Sequence, residues 1–333
     1  MQAIVYDRYG PPEVLHLQEV PTPRPKANEV LVKVLASPVN FGDTLARAFN
    51  RTSPRNFTMP APLWLLSRIA IGWSKPRRKI LGSEFAGDIA EVGAEVTQFK
   101  PGDAVFGYRA MSFGAYAEYL TMPASGAIAL KPATLSYEEA ATVPYGALTA
   151  SNLLRKVEIK PGHRVLINGA SGAIGSYAIQ LAKHFGAEVT GVCGTPRLDF
   201  VRALGADHVI DYTREDFTQN GESYDLVFDV LGKSSWARVK GSLTPNGRYL
   251  LASFKLKQLG QMLLTARSSR QRVICALSSE SQDDLVAIKE LVEAGAITTV
   301  IDRRFPLARA ADAHRYVEDG QKRGHVVLTM AHE

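Results

Sequence analysis

The run His163–Arg197, HRVLINGASGAIGSYAIQLAKHFGAEVTGVCGTPR, decides the fold of this chain. Val165, Leu166 and Ile167 form an apolar run read as a buried strand, and Gly169, Gly172 and Gly175 follow it at once. Ala178, Leu181 and Ala182 then recur at helical spacing before a second apolar run from Val189 to Cys193. Strand, glycine turn, helix and strand make a βαβ unit. Glycine suits such a turn because a phosphate approaches the backbone amides closely there and the helix must start without a Cβ clash. The unit predicts a dinucleotide site. Ala170 stands where the first glycine of G-x-G-x-x-G would be, and the glycines alone fit a ligand-free tight turn equally well. The flanking strands and helix favour the cofactor.

The end of the second strand bears on which dinucleotide. An NAD site places a carboxylate about 20 residues past the turn for the ribose 2′-OH, and an NADP site accommodates a 2′-phosphate with a cation. Here the chain reads Gly194, Thr195, Pro196, Arg197, with no acid before Asp199. A guanidinium and a hydroxyl suit a phosphate dianion, so NADPH is predicted. In the alternative reading Arg197 merely opens a solvated helix face.

A chain of 333 residues accommodates two domains, and 46% hydrophobic with 22% charged residues is ordinary for a soluble globular protein. The opening MQAIVYDRYG shows no signal-peptide pattern, and the apolar stretch Met59–Trp73, broken by Ser67 and Arg68, is too short to span a bilayer. Cys193 and Cys275 make neither a disulfide framework nor a zinc spacing, and a cytoplasmic protein is expected. The net charge of +6 suits capture of an anionic cofactor. Its clusters, at Lys75–Lys79 and at Arg267, Arg270 and Arg272, lack the interleaved aromatics of an RNA-binding motif, so no nucleic-acid partner is expected.

Taken in order, Ala3–Tyr6 and Val30–Val34 read as strands, Asn40–Phe49 as a short helix, and Arg51–Lys79, with its prolines, as an irregular functional loop or lid. Strands are expected at Phe85–Val92, Ala104–Gly107 and Tyr116–Thr121, so the first domain is mainly β. Helical patterns at 136–155 lead into the βαβ unit. Further strands are expected at His208–Ile210, Tyr224–Val230, Gly247–Ala252 and Arg272–Leu277, and this alternation implies a parallel, doubly wound sheet. A helix at Asp283–Ala294, an extended segment at Arg303–Leu307, a helix around Arg309–Glu318 and a strand at Val326–Thr329 close the chain.

Together these pieces resemble the zinc-independent quinone oxidoreductase branch of the medium-chain dehydrogenase/reductase superfamily. The resemblance rests on MQAIVYDRYG, Val39–Asp43, Gly82–Gly87, Pro101-Gly102-Asp103, NGASGAIG, Leu204–Asp207, Asp211-Tyr212 and Gly324–Leu328, in family order along nearly the whole chain. It implies an α/β and β fold: a GroES-like catalytic domain, residues 1–124 and 278–333, plus a Rossmann-type doubly wound parallel sheet, residues 125–277. It also suggests a homodimer through edge strands, with Arg272–Leu277 as the candidate. In the alcohol dehydrogenase branch a cysteine occupies the position of Asn40, a histidine that of Ser83, and a third zinc ligand falls near Pro144 or Tyr145. None of those residues is a good zinc ligand here, so no metal is expected.

Without a Lewis acid, alcohol oxidation is poorly supported, and reduction of a quinone or an α,β-unsaturated carbonyl is the expected reaction. Asn40 is similar to the family's active-site Asn, although Asn also caps helices. Tyr145 is a candidate donor to the developing enolate, with a packed structural tyrosine as the alternative, and Ser83 is a further candidate. For the cofactor, Asn40 and Thr149 are expected at the nicotinamide, and Ser171, Gly172, Ala173 and Ile174 at the pyrophosphate. Gly194, Thr195, Arg197 and Tyr212 are expected at the adenosine end, and Leu231 and Ser253 complete the set. Asp103 and Asp229 read as turn and strand-end residues. The apolar patch Leu63–Leu66 is expected to cover the cleft and favour a bulky hydrophobic electron acceptor, with a peripheral membrane contact as the alternative. Two other functions stay open: an enoyl-thioester reductase of the same superfamily, and a non-catalytic NADPH-binding or RNA-binding protein.

Overall fold

The computed structural model describes residues 1–320 and 322–331. Strands β1 (Gln2–Val5) and β2 (His16–Glu19) pair antiparallel at the start. Next come β3 (Glu29–Pro38), helix α1 (Phe41–Arg47), helix α2 (Ala61–Ile71), β4 (Glu84–Val92), β5 (Ala104–Tyr108), β6 (Tyr119–Pro123) and β7 (Ile128–Leu130). Two helices, α3 (Tyr137–Ala141) and α4 (Pro144–Leu154), lead to β8 (Arg164–Asn168), α5 (Ala173–His184), β9 (Glu188–Cys193), α6 (Leu198–Ala203) and β10 (His208–Asp211). The chain continues through β11 (Tyr224–Asp229), α7 (Trp236–Val239), β12 (Leu243–Leu251), α8 (Leu256–Ser268) and β13 (Arg272–Cys275). It ends with α9 (Gln282–Glu293), β14 (Ile301–Pro306), α10 (Ala310–Glu318) and β15 (His325–Thr329).

A six-stranded sheet has the order β10-β9-β8-β11-β12-β13 with every pair parallel, the doubly wound arrangement expected of the βαβ pattern. Its order reverses between β8 and β11, and the crevice beyond their C-terminal ends is where such sheets bind nucleotides. A second sheet, ordered β14-β15-β3-β4-β5-β7 with β6 also on β3, is the GroES-like part. β14 and β15 return to it from the far end of the chain, so strands from residues 29–130 and 301–329 build one sheet.

One of the apolar clusters spans both sheets. Ala36, Ala86 and Phe106 from the mixed sheet join Leu148 and Leu153 of α4 and Val165 and Ile167 of β8 in a continuous buried cluster. Each fully buried Val or Leu contributes about 1.5–3 kcal/mol, so α4 is fixed firmly between the layers.

The structure corrects several expectations. Arg51–Lys79 is not wholly irregular, because residues 61–71 form α2. Pro60 precedes the helix and Pro62 lies in its first turn, where a missing N–H costs nothing. Leu63 and Trp64 then pack on the core of the mixed sheet, which their helical spacing allows. The strand expected at Tyr116–Thr121 lies at Tyr119–Pro123, and the one expected to run to Leu277 ends at Cys275. The strand expected from Gly247 begins at Leu243.

Candidate active site

β8 ends at Asn168, and Gly169 turns the chain with φ of +93°, a region that side-chain-bearing residues rarely adopt. α5 follows Gly172, which provides no side-chain cap, so the amides of Ala173 and Ile174 and the positive end of the helix dipole are available to an anion. Gly175 is required for close approach, since an added Cβ would stand 2.2 Å from the Gly169 carbonyl oxygen. In front of this turn lies a cavity of about 220 Å³. Ser171, Gly172, Gly194, Arg197, Tyr212 and Leu231, all expected at the cofactor, line it together.

Lys322 lines the same cavity, and sequence reasoning missed it. It belongs to the loop between α10 and β15, which nothing in the βαβ pattern points to. Arg197 Nε donates to the Lys322 carbonyl at 3.2 Å. Burial, and then the neighbouring guanidinium, lower the Lys322 ammonium pKa. Among the described residues lining this cavity there is no Asp or Glu. Two cations facing one cavity without a carboxylate suit a phosphate dianion.

Other expected cofactor residues lie elsewhere. The Thr195 hydroxyl donates to Asp211 at 2.5 Å and is not among the lining groups. Ser253 Oγ donates to the Val230 carbonyl at 3.1 Å and also lies outside the lining. Thr149 is buried in α4. Asp103 accepts from the Lys100 amide in a turn, and fully buried Asp229 accepts from Asn168, Gly232, Ser234 and Tyr249, so both are structural as read.

A second cavity, of about 200 Å³, opens between α1, α2 and the first turn of α4. Its polar groups include Asn40, Ser83, Tyr108 and Tyr145, and its apolar wall includes Leu45, Phe49, Phe57, Ile71, Met111 and Phe113. Asn40 stands at the N-cap position of α1, where its backbone amide donates to Asp43, and it also lines this cavity. Pro144 and Tyr145 open α4, which aims the Tyr145 ring across the cavity at Tyr108, 5.7 Å between centroids. Burial, and then the charge of Glu84, push the Tyr145 phenol up to about 12, so it stays protonated at neutral pH. A protonated phenol is a donor to an oxyanion.

Glu84 fastens these groups from beneath. Its carboxyl accepts from Asn40 Nδ2 through one oxygen and from the Tyr145 amide at 2.6 Å through the other. Burial pushes it up to about 8, against the lowering effect of those donors. Asp43, also fully buried, accepts from the Asn40 and Gly82 amides and is pushed up by burial to about 7. Sequence reading passed over both acids, since a local pattern does not reveal that a carboxylate is buried.

The helices that start at the two cavities are in contact. A Cβ on Gly146 would stand 2.5 Å from the Ala173 carbonyl oxygen, so the first turns of α4 and α5 touch. Tyr145, which lines the second cavity, directly precedes this contact residue in α4.

Residues 26–133 match the family described as alcohol dehydrogenase GroES-like domain, and residues 204–328 that described as zinc-binding dehydrogenase. The chain is 31% identical to the chloroplastic NADPH-dependent alkenal/one oxidoreductase of Arabidopsis thaliana, over 98% of this chain and 79% of that protein. The chain belongs to the medium-chain dehydrogenase/reductase superfamily, in its quinone oxidoreductase-like branch. A second relative of this superfamily member, the mitochondrial NAD(P)H oxidoreductase of Mus musculus, is 33% identical over 99% of this chain and 89% of its own length. The quinone oxidoreductase structure from Coxiella burnetii matches with a TM-score of 0.83 and 30% identity over 99% of both chains. This superfamily member is an oxidoreductase that uses a nicotinamide cofactor.

Zinc in one family description raises the question of whether the residues here fit that metal. At the cavity they are an amide, a hydroxyl and two phenols, and both oxygens of Glu84 are already held by donors. Among the described residues no group of three or more His, Cys, Asp and Glu is placed to hold a metal ion. The donor set does not fit zinc. No described helix is long and apolar enough to cross a membrane.

Proposed function

We propose that this protein is an NADPH-dependent, metal-free reductase that delivers hydride to a quinone or an α,β-unsaturated carbonyl. The observation that supports the reading is the contact of α4, whose first turn lines an apolar cavity with protonated phenols, with α5, which follows a glycine-lined turn bordered by Arg197 and Lys322. The names of the Arabidopsis and Coxiella relatives agree with it.

In this reading Arg197 and Lys322 hold the 2′-phosphate, and the amides after Gly172 hold the pyrophosphate. Bound there, NADPH supplies the hydride. Asn40, fixed by Glu84, orients the ribose or the acceptor oxygen through its second side-chain N–H. Tyr145 donates to the oxygen on which negative charge develops, and Tyr108 and Ser83 supply further hydroxyls. Leu45, Phe49, Phe57 and Ile71 exclude water and select an apolar acceptor. The catalytic lobe is assigned to residues 1–124 and 278–333 and the nucleotide lobe to 125–277. β13 ends the parallel sheet, and its edge is the proposed site of a homodimer in the cytoplasm.

NADPH oxidation against a panel of quinones, enones and enoyl thioesters, with zinc measured on the same sample, tests the reading. Turnover with quinones or enones by zinc-free protein is expected. Turnover confined to enoyl thioesters, or dependent on zinc, would replace it.

A further inference from the structure

The outer face of α2 has no part in the reductase chemistry. The helix turns Ser67 and Ile71 toward the acceptor cavity. Its other side presents Leu65, Leu66 and Ile69 to water, 45%, 59% and 51% exposed, and Trp73 follows at 59%. Single exposed apolar residues are ordinary, but four along one short helix and its exit form a patch.

Trp73 does not lie loosely on that patch. Arg68 Nη2 donates to the Trp73 carbonyl at 2.6 Å, and the Arg68 guanidinium sits 5.1 Å from the Trp73 ring and 5.9 Å from that of Trp64. The two indoles meet edge to face at 6.1 Å. An indole fixed in an outward position has already given up the side-chain freedom that binding would remove.

Charge identifies the partner. Residues 51–79 contain seven Lys and Arg and no Asp or Glu, while the whole chain carries only +6. The remaining chain is therefore nearly neutral, and the positive excess sits around this helix. Lys75, Arg77 and Arg78 are exposed, and among the described residues none of them pairs with a carboxylate; Lys79 does, with Asp7 at 2.7 Å. An apolar ridge, an indole at its end and then a basic run is the order of groups met from the acyl region of a bilayer out to acidic headgroups.

We propose that this face docks the protein reversibly on an anionic lipid surface. Leu65, Leu66, Ile69 and Trp73 enter the headgroup boundary, and Lys75, Arg77 and Arg78 meet the acidic headgroups. Because the same helix borders the acceptor cavity, a hydrophobic acceptor dissolved in the bilayer reaches the cavity at the lipid surface. That consequence rests on the reductase reading, whereas the docking does not.

Sedimentation of the full chain with lipid vesicles tests the docking without any turnover. Vesicles of about one third phosphatidylserine in phosphatidylcholine are expected to retain the protein, and pure phosphatidylcholine to retain far less, with the difference shrinking as salt is raised. Replacing Lys75, Arg77 and Arg78 together by Gln weakens retention by about a hundredfold, and Leu66→Glu removes it. Unchanged thermal unfolding midpoints show that both variants fold. Wild-type protein left in the supernatant with anionic vesicles would overturn the proposal, as would full retention of the triple Gln variant. A Leu66→Glu variant that turns a dimer into monomers while still binding vesicles would also overturn it and assign the face to a second copy of the chain.

Discussion

Arg197 Nε donates to the backbone carbonyl of Lys322 at 3.2 Å, joining residues 125 positions apart. The bond ties the turn after β9 to the loop before β15, so a loop leading into the mixed sheet helps close the groove of the parallel one. Both cationic side chains border that groove, and only the first belongs to the βαβ unit.

Arg197→Asp places a carboxylate where the 2′-phosphate is proposed to lie. NADPH affinity should fall by at least a hundredfold and NADH affinity by less than about fivefold. Lys322→Ala should weaken NADPH by about tenfold with the same selectivity. Titration of each variant with both cofactors checks this; equal losses for the two cofactors would remove the phosphate assignment.

Tyr145→Phe keeps the ring against Tyr108 and deletes the donor. The expected result is a fall in kcat of about 10²-fold with the NADPH dissociation constant unchanged. Tyr108→Phe should cost less. Steady-state kinetics together with cofactor titration separates a lost donor from a disturbed groove.

Glu84 carries a pH signature of defined sign. Its folded-state pKa of about 8 lies above the ordinary 4.5, so between these values the folded chain keeps a proton that the unfolded chain has lost. The contribution of this group to wild-type stability therefore declines with rising pH across that window, by about 1.4 kcal/mol per pH unit. Gln does not titrate, so the advantage of wild type over Glu84→Gln should shrink from pH 4.5 to about 8 and then level off. Denaturant unfolding of both proteins across that range is the measurement; a constant gap would mean that Glu84 is not the titrating group. Above about pH 8, where Glu84 is a carboxylate, activity should also drop about tenfold in Glu84→Gln, since Gln has one acceptor oxygen for the two donors of Asn40 and Tyr145.

Gly146→Ala introduces a Cβ 2.5 Å from the Ala173 carbonyl oxygen. The overpacking should cost about 1–3 kcal/mol of stability. If α4 and α5 align the two cavities, kcat should fall by more than the affinity for either NADPH or acceptor. A variant that loses stability alone would make the contact purely structural.

Much of the fold was legible because its signals are local. The strand at Val165–Ile167, the glycine turn and the run ending at Cys193 lie contiguously, and their spacing placed β8, α5 and β9 closely. α2 was hidden by Pro60 and Pro62, which look like helix breakers but stand before the helix and in its first turn, where they are tolerated. Asn40, Ser83 and Tyr145 were found through a motif resemblance and do meet in one cavity. Lys322, Glu84 and Gly146 were not found, because their significance comes from contacts made across the two sheets. A carboxylate on a strand reads as solvated until the fold buries it.

The central claim is hydride transfer from NADPH to an electron-poor carbon without a metal. Its most direct test is a single-turnover reaction of chelator-treated, zinc-free protein with NADPH carrying deuterium at the transferred position of nicotinamide C4 and a hydrophobic enone. Stoichiometric NADPH oxidation and deuterium at the β-carbon of the reduced product are expected. No oxidation until zinc is restored, or a product without deuterium at that carbon, would contradict it.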